Sequence, residues 1–138
     1  MPTHPFVNFR YEPQLSYLLA GISIYDKEET LGEALWVYDP NKQDERDEVI
    51  KKFIIPNFEY LTYRHRFLIF QVLESFLQQS DFDFSTQFQS DYENPRIIAW
   101  DETEIENPRG FFEDIYRLAA EEWKADLKRA SEEDQTTW

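Results

Sequence analysis

A chain of 138 residues fits one domain, and its 41% apolar and 17% aromatic content is enough to build a core. Asp and Glu number 28 against 14 Lys and Arg, and the resulting charge of −14 disfavours direct binding to nucleic acid or to an anionic membrane. The absence of Cys excludes a disulfide framework and thiolate chemistry, and only three Gly argue against a sandwich of many short strands.

Residues 1–12, with Pro2 and Pro5, read as an extended arm. They lack the basic and apolar regions of a secretory signal, and no run approaches the roughly 18 apolar residues needed to span a bilayer, so a soluble cytoplasmic protein is expected. Pro13 suits the first position of a helix reaching about Tyr25, with Leu15, Leu18, Leu19 and Ile22 on one face. Residues 20–38 fit two descriptions. Leu31, Leu35 and Tyr38 recur at helical spacing, while Ile22–Tyr25 and Ala34–Tyr38 would also suit the arms of a hairpin. The turn Asp39-Pro40-Asn41 closes the region.

Asp44 is placed to cap a helix through Ile55 that buries Val49, Ile50, Phe53 and Ile54, and Pro56 is expected to end it. Asn57 then suits the cap of a long central helix over about 57–79. Its middle, Phe67–Leu77, is apolar on most sides, so replacing Leu68 or Val72 by Asp is expected to unfold the domain. Beyond Gln79 the period changes. Phe82, Phe84 and Phe88 fall on alternate positions, a half-buried strand pattern that could pair with Arg96–Trp100 in a small β-hairpin at 82–100. Asn107-Pro108 starts a last helix with the buried stripe Phe112, Ile115, Tyr116, Ala119, Trp123 and Leu127, and residues 131–138 read as a frayed tail. The expectation is a mostly α, compact helical domain of one piece, with an α+β form carrying a hairpin at 20–38 as the alternative.

Few residues suggest chemistry. With His4 and His65 as the only histidines, no Cys/His zinc site can form, and His65 reads as a packed helix residue. The pairs Asp81/Asp83 and Asp101/Glu102/Glu104 lack the Gly and Glu spacing of a calcium loop. No nucleophile elbow and no phosphate-cradling Gly loop occurs. No catalytic, cofactor or metal residues are therefore assigned.

The unusual segment is 81–106, where eight carboxylates face one base, Arg96, for a charge of −7 amid Phe82, Phe84, Phe88, Tyr92 and Trp100. Acidic and aromatic residues together suit a surface that grips a basic protein. Tyr92 and Trp100 are expected as anchors, and Asp91, Glu93, Asp101, Glu102, Glu104 and Glu106 as the charged rim. The expected function is a non-catalytic acidic protein that neutralises or inhibits a basic partner, in the manner of a toxin-immunity protein or nuclease inhibitor. A partial nucleic-acid mimic is the first alternative. A domain ~35–40 Å across would match a duplex length carrying about 20 charges, more than the whole chain holds. An acidic adaptor or secretion-type chaperone is the second, and it would need an exposed apolar groove near Trp36 and Tyr38.

Overall fold

The first apolar stripe, Leu15, Leu18, Leu19 and Ile22, buries one face of a 3-10 helix, Leu15–Ile22. In this computed structural model, which describes residues 13–24, 27–89 and 98–138, helical turns account for nearly all the regular structure. Gly21 allows that first element to touch another backbone directly. A Cβ there would stand 2.0 Å from the Phe53 carbonyl oxygen, so no larger residue fits without moving one segment.

The hairpin alternative at 20–38 gives way to a π turn, Glu28–Gly32, running into α1, Glu33–Leu35. Leu35 is buried, with Leu31 and Tyr38 packed beside it, whereas Trp36 is exposed. A strand would have put Trp36 and Tyr38 on the same face, and the helical period separates them. A longer rod follows, from α2, Gln43–Val49, through a π turn, Ile50–Ile54, to a 3-10 turn, Ile55–Phe58. Asp44 lies in its first turn rather than at the cap, which is Lys42. Pro56 does not end the rod. The Ile55 N–H reaches back five residues to Ile50, and this widened turn relieves the clash a proline ring makes with a regular helix.

Helix α3, Tyr63–Leu77, is shorter than the expected 57–79 because its cap is Thr62, not Asn57. The Thr62 Oγ1 accepts from the His65 N–H and lies 2.6 Å from His65 Nδ1, which fixes the buried imidazole in the first turn. Only part of α3 faces the core. Ile69 and Leu73 are fully buried, but Leu68 and Val72 are half-buried and line a groove of about 290 Å³ with Pro13, Gln71, Ser75 and Phe76. The expected unfolding by Asp at Leu68 or Val72 thus belongs to Ile69 and Leu73.

The strand expected from Phe82, Phe84 and Phe88 is a 3-10 helix, Phe84–Phe88. Phe84 and Phe88 are four apart, a spacing that alternation and helical turns share. The Asp83 carboxylate decides between them by accepting from Ser85 N at 3.0 Å and Ser85 Oγ at 2.6 Å, a capped start. Among the described residues the β pairing is confined to a bridge between Ser23 and Ile98, and Ala99 N–H donates to Ile22 O at 2.9 Å. The Asp91–Pro95 turn and Arg96 of the expected hairpin lie outside the described residues. A short 3-10 turn, Glu102–Glu104, leads to the last helices.

Helix α4, Pro108–Glu122, starts as expected, with Pro108 first and the Asn107 side chain accepting from Gly110 N at 3.0 Å. It packs against α2, α3 and the Phe84–Phe88 turn. Phe111, Phe112 and Ile115 are fully buried, and Phe84, Phe88, Phe111 and Phe112 form one ring cluster with centroids 5.0–6.5 Å apart. Arg109 caps α3 from outside it, donating to Leu77 O and to Gln79 O, with its guanidinium over the Phe84 ring. Helix α5, Lys124–Ser131, continues α4 past Trp123 and packs along α3.

The tail folds back onto the start of α3. Glu133 accepts from the Tyr63 hydroxyl at 2.6 Å and Arg64 Nε at 3.1 Å, and Trp138 meets Phe67 edge-on at 5.8 Å while Arg64 covers its ring.

Candidate interaction surface

Three hydrogen bonds join the 36–41 turn to the 99–106 loop. Trp36 Nε1–H donates to Ala99 O at 2.8 Å, Asn41 Nδ2 to Glu104 O at 2.9 Å, and the Glu106 N–H to Asn41 Oδ1 at 2.9 Å. Asn41 is itself set by Asp39, whose Oδ1 accepts from Asn41 N at 2.9 Å in an Asx turn. Beneath the turn, Arg46 Nη1 donates to Pro40 O while Arg46 Nε binds Asp114 at 2.7 Å in a pair that is nearly buried on both sides. The fold thus holds the turn from below, and the turn holds the loop.

The loop is also braced internally. Asp101 and Glu104 form a capping box, with Asp101 N–H donating to Glu104 Oε1 at 3.1 Å, and Thr103 Oγ1 donates to Asp101 Oδ2 at 3.1 Å. Gln89 Nε2 donates to Glu102 Oε2 at 3.1 Å, tying the loop to the Phe84–Phe88 turn. Residues 33–41 and 98–108 together hold Glu33, Asp39, Asp101, Glu102, Glu104 and Glu106 and no Lys or Arg. Such a surface has a negative potential that no internal cation neutralises within these stretches.

Of the residues singled out by sequence, Glu104 and Glu106 are exposed and Asp101 and Glu102 partly exposed, all on this loop. Trp100 is not an anchor: it is 4% exposed and belongs to the core. Asp91, Tyr92 and Glu93 lie outside the described residues. The apolar part of the surface comes instead from Trp36 and Val37, 48% and 75% exposed. The signal that could have found them was present, since both fall off the Leu31, Leu35, Tyr38 stripe that faces the core.

Elsewhere, two shallow clefts of about 210 and 230 Å³ run along α4 and α5, floored by Ile55 and Trp123 and edged by Glu59, Glu121, Glu122 and Asp126. Arg66 occupies one side, donating to Asp126 and to the carbonyls of Phe58 and Leu61. Among the described residues, no three His, Asp or Glu side chains converge to hold a metal ion, and no helix is long and apolar enough to cross a membrane. Comparison with protein-family models, curated proteins and solved structures finds no match to this chain.

Proposed function

We propose that this chain is a non-catalytic acidic binding protein that neutralises or inhibits a basic protein partner through the Trp36–Val37 patch and the 101–106 loop. The observation that carries this reading is the joining of an exposed aromatic and aliphatic pair to a braced row of carboxylates that pairs with no Lys or Arg among the described residues. The apolar pair supplies contact area that survives salt, and the carboxylates steer a Lys/Arg-rich surface into register. Pre-organisation lowers the ordering cost of association.

The adaptor reading draws on one observation of its own, the apolar groove lined by Leu68, Val72 and Phe76. Nucleic-acid mimicry draws less support, because Trp36 and Val37 have no counterpart on a phosphate backbone. The test is affinity capture on the immobilised protein from nuclease-treated lysate, with Glu102→Lys/Glu104→Lys and Trp36→Ala proteins in parallel. A basic protein that stays bound at high salt, and is lost from both variants, supports the proposal. Retention equal on wild type and both variants would move the interface elsewhere, and release of nucleic-acid enzymes by salt alone would favour mimicry.

A further inference from the structure

Trp36 is both fixed and open. Its Nε1–H is committed to Ala99 O, which sets the rotation of the indole. Its position over Gly32 sets the tilt: a Cβ on Gly32 would lie 3.0 Å from Cη2, 3.2 Å from Cζ3 and 3.4 Å from Cζ2. An approach in the ring plane would leave the two flanking atoms most of a bond length further off than Cη2. These near-equal distances put Gly32 above the plane, against one face of the ring. With Gly32 against one face and 48% of the residue exposed, the open area of the indole lies away from Gly32.

Arg109 covers Phe84, Arg64 covers Trp138, Arg129 covers Tyr63 and Lys52 covers Tyr38, whereas among the described residues no Lys or Arg lies over Trp36. The same ring is hydrogen-bonded to Ala99, two residues before Asp101, where the row of carboxylates begins. An aromatic face attracts cations, Trp most strongly, and a planar guanidinium can stack on it while directing N–H groups to neighbouring carboxylates.

We infer that the outer face of Trp36 is the docking position for an arginine side chain of the basic partner, its guanidinium stacked on the indole and its edge turned to the carboxylates of the 101–106 loop. This rests on the proposed acidic binding surface and adds the residue type that surface selects. Lysine, a hydrated point charge without a plane, gains less from the same position.

Capped hexaarginine and hexalysine peptides, titrated calorimetrically into the full chain at physiological salt, test it. Wild type is expected to prefer hexaarginine, and Trp36→Leu to weaken hexaarginine about 3- to 30-fold and abolish the preference. Trp36→Phe, which keeps a ring, is expected to retain part of it. A Trp36→Leu protein that still prefers hexaarginine overturns the inference. If Glu102→Gln/Glu104→Gln at the same time weakens both peptides, the acidic surface itself stands; if it weakens neither, the surface fails and the arginine position with it. Should Trp36→Leu not fold, the indole N–H resonance of Trp36 in the wild-type protein decides. It shifts on saturation with hexaarginine if the ring is the docking position, and its remaining still overturns the inference.

Discussion

The pair Arg46–Asp114 offers the sharpest test of how the fold supports its surface. The two side chains are 11% and 13% exposed and 2.7 Å apart, so removing the carboxylate leaves a guanidinium stranded among buried groups. Breaking a fully buried pair costs about 3–5 kcal/mol. Here Arg46 keeps Gln43 Oε1 at 3.0 Å and Pro40 O as acceptors, which softens the loss. Asp114→Ala is therefore expected to cost about 2–3 kcal/mol, which for a chain of this size is a fall in Tm of about 10 °C. Arg117, the other partner of Asp114, is half exposed, and Arg117→Ala should cost no more than about 1 kcal/mol. Replacing both buried partners, Arg46→Met with Asp114→Leu, removes the stranded charge and should recover at least half of the single-mutant loss. Urea unfolding followed by circular dichroism, with unchanged m-values, reads all four proteins. An Asp114→Ala protein within about 0.5 kcal/mol of wild type would show that water reaches the pair, and the reasoning would be wrong.

Three further outcomes follow from the same structure. Gly21→Ala forces a methyl into the Phe53 carbonyl and should destabilise the domain by about 2–3 kcal/mol, whereas an undiminished Tm would mean the two segments can part freely. Asn41→Ala removes two bonds to the 101–106 loop at an exposed site. It should cost only about 1 kcal/mol globally, yet exchange of the Glu106 amide should speed markedly relative to amides in α4. The Tyr63 hydroxyl, and after it Arg64, holds the Glu133 carboxyl below its ordinary value. A group lowered in this way stabilises the docked tail above its unfolded pKa and loses that contribution as pH falls through the lowered folded value. The Trp138 indole resonance should therefore move towards its unfolded position on acidification, and Glu133→Gln should remove that titration.

Much of the helical framework was legible because its signals are local. Asn107-Pro108 fixes the start of α4, and the Leu15–Ile22 stripe marks a buried face whether the backbone chooses α or 3-10 geometry. The errors came where two periods coincide or where a distant contact decides. Phe84 and Phe88 satisfy both alternation and a helical turn, and the choice falls to the Asp83 carboxylate, whose cap is a matter of one side-chain rotamer. Thr62 and Asn57 are both acceptable caps by type. The π turn at Ile50–Ile54 carries the rod past Pro56, and no propensity scale encodes that widening. The docking of the tail depends on Tyr63, Arg64 and Phe67, some seventy positions away in sequence for the Glu133 bonds.

The surface shows a different kind of limit. Acidity is written in the composition, so the 101–106 carboxylates could be picked out without a structure, but the choice between Trp36 and Trp100 could not rest on residue type. Both are tryptophans beside acidic turns. What separates them is that Ala99 spends its N–H on Ile22 and its carbonyl on Trp36, so the chain at 98–100 is drawn inward and carries Trp100 into the core. The same bond holds the Trp36 ring at the surface. One backbone residue thus assigns the buried role to one indole and the exposed role to the other, and Ala99 can make both bonds only because residues 22–23 and 98 pair in register. The bridge and the two Ala99 bonds therefore act together in setting which aromatic stands beside the acidic loop.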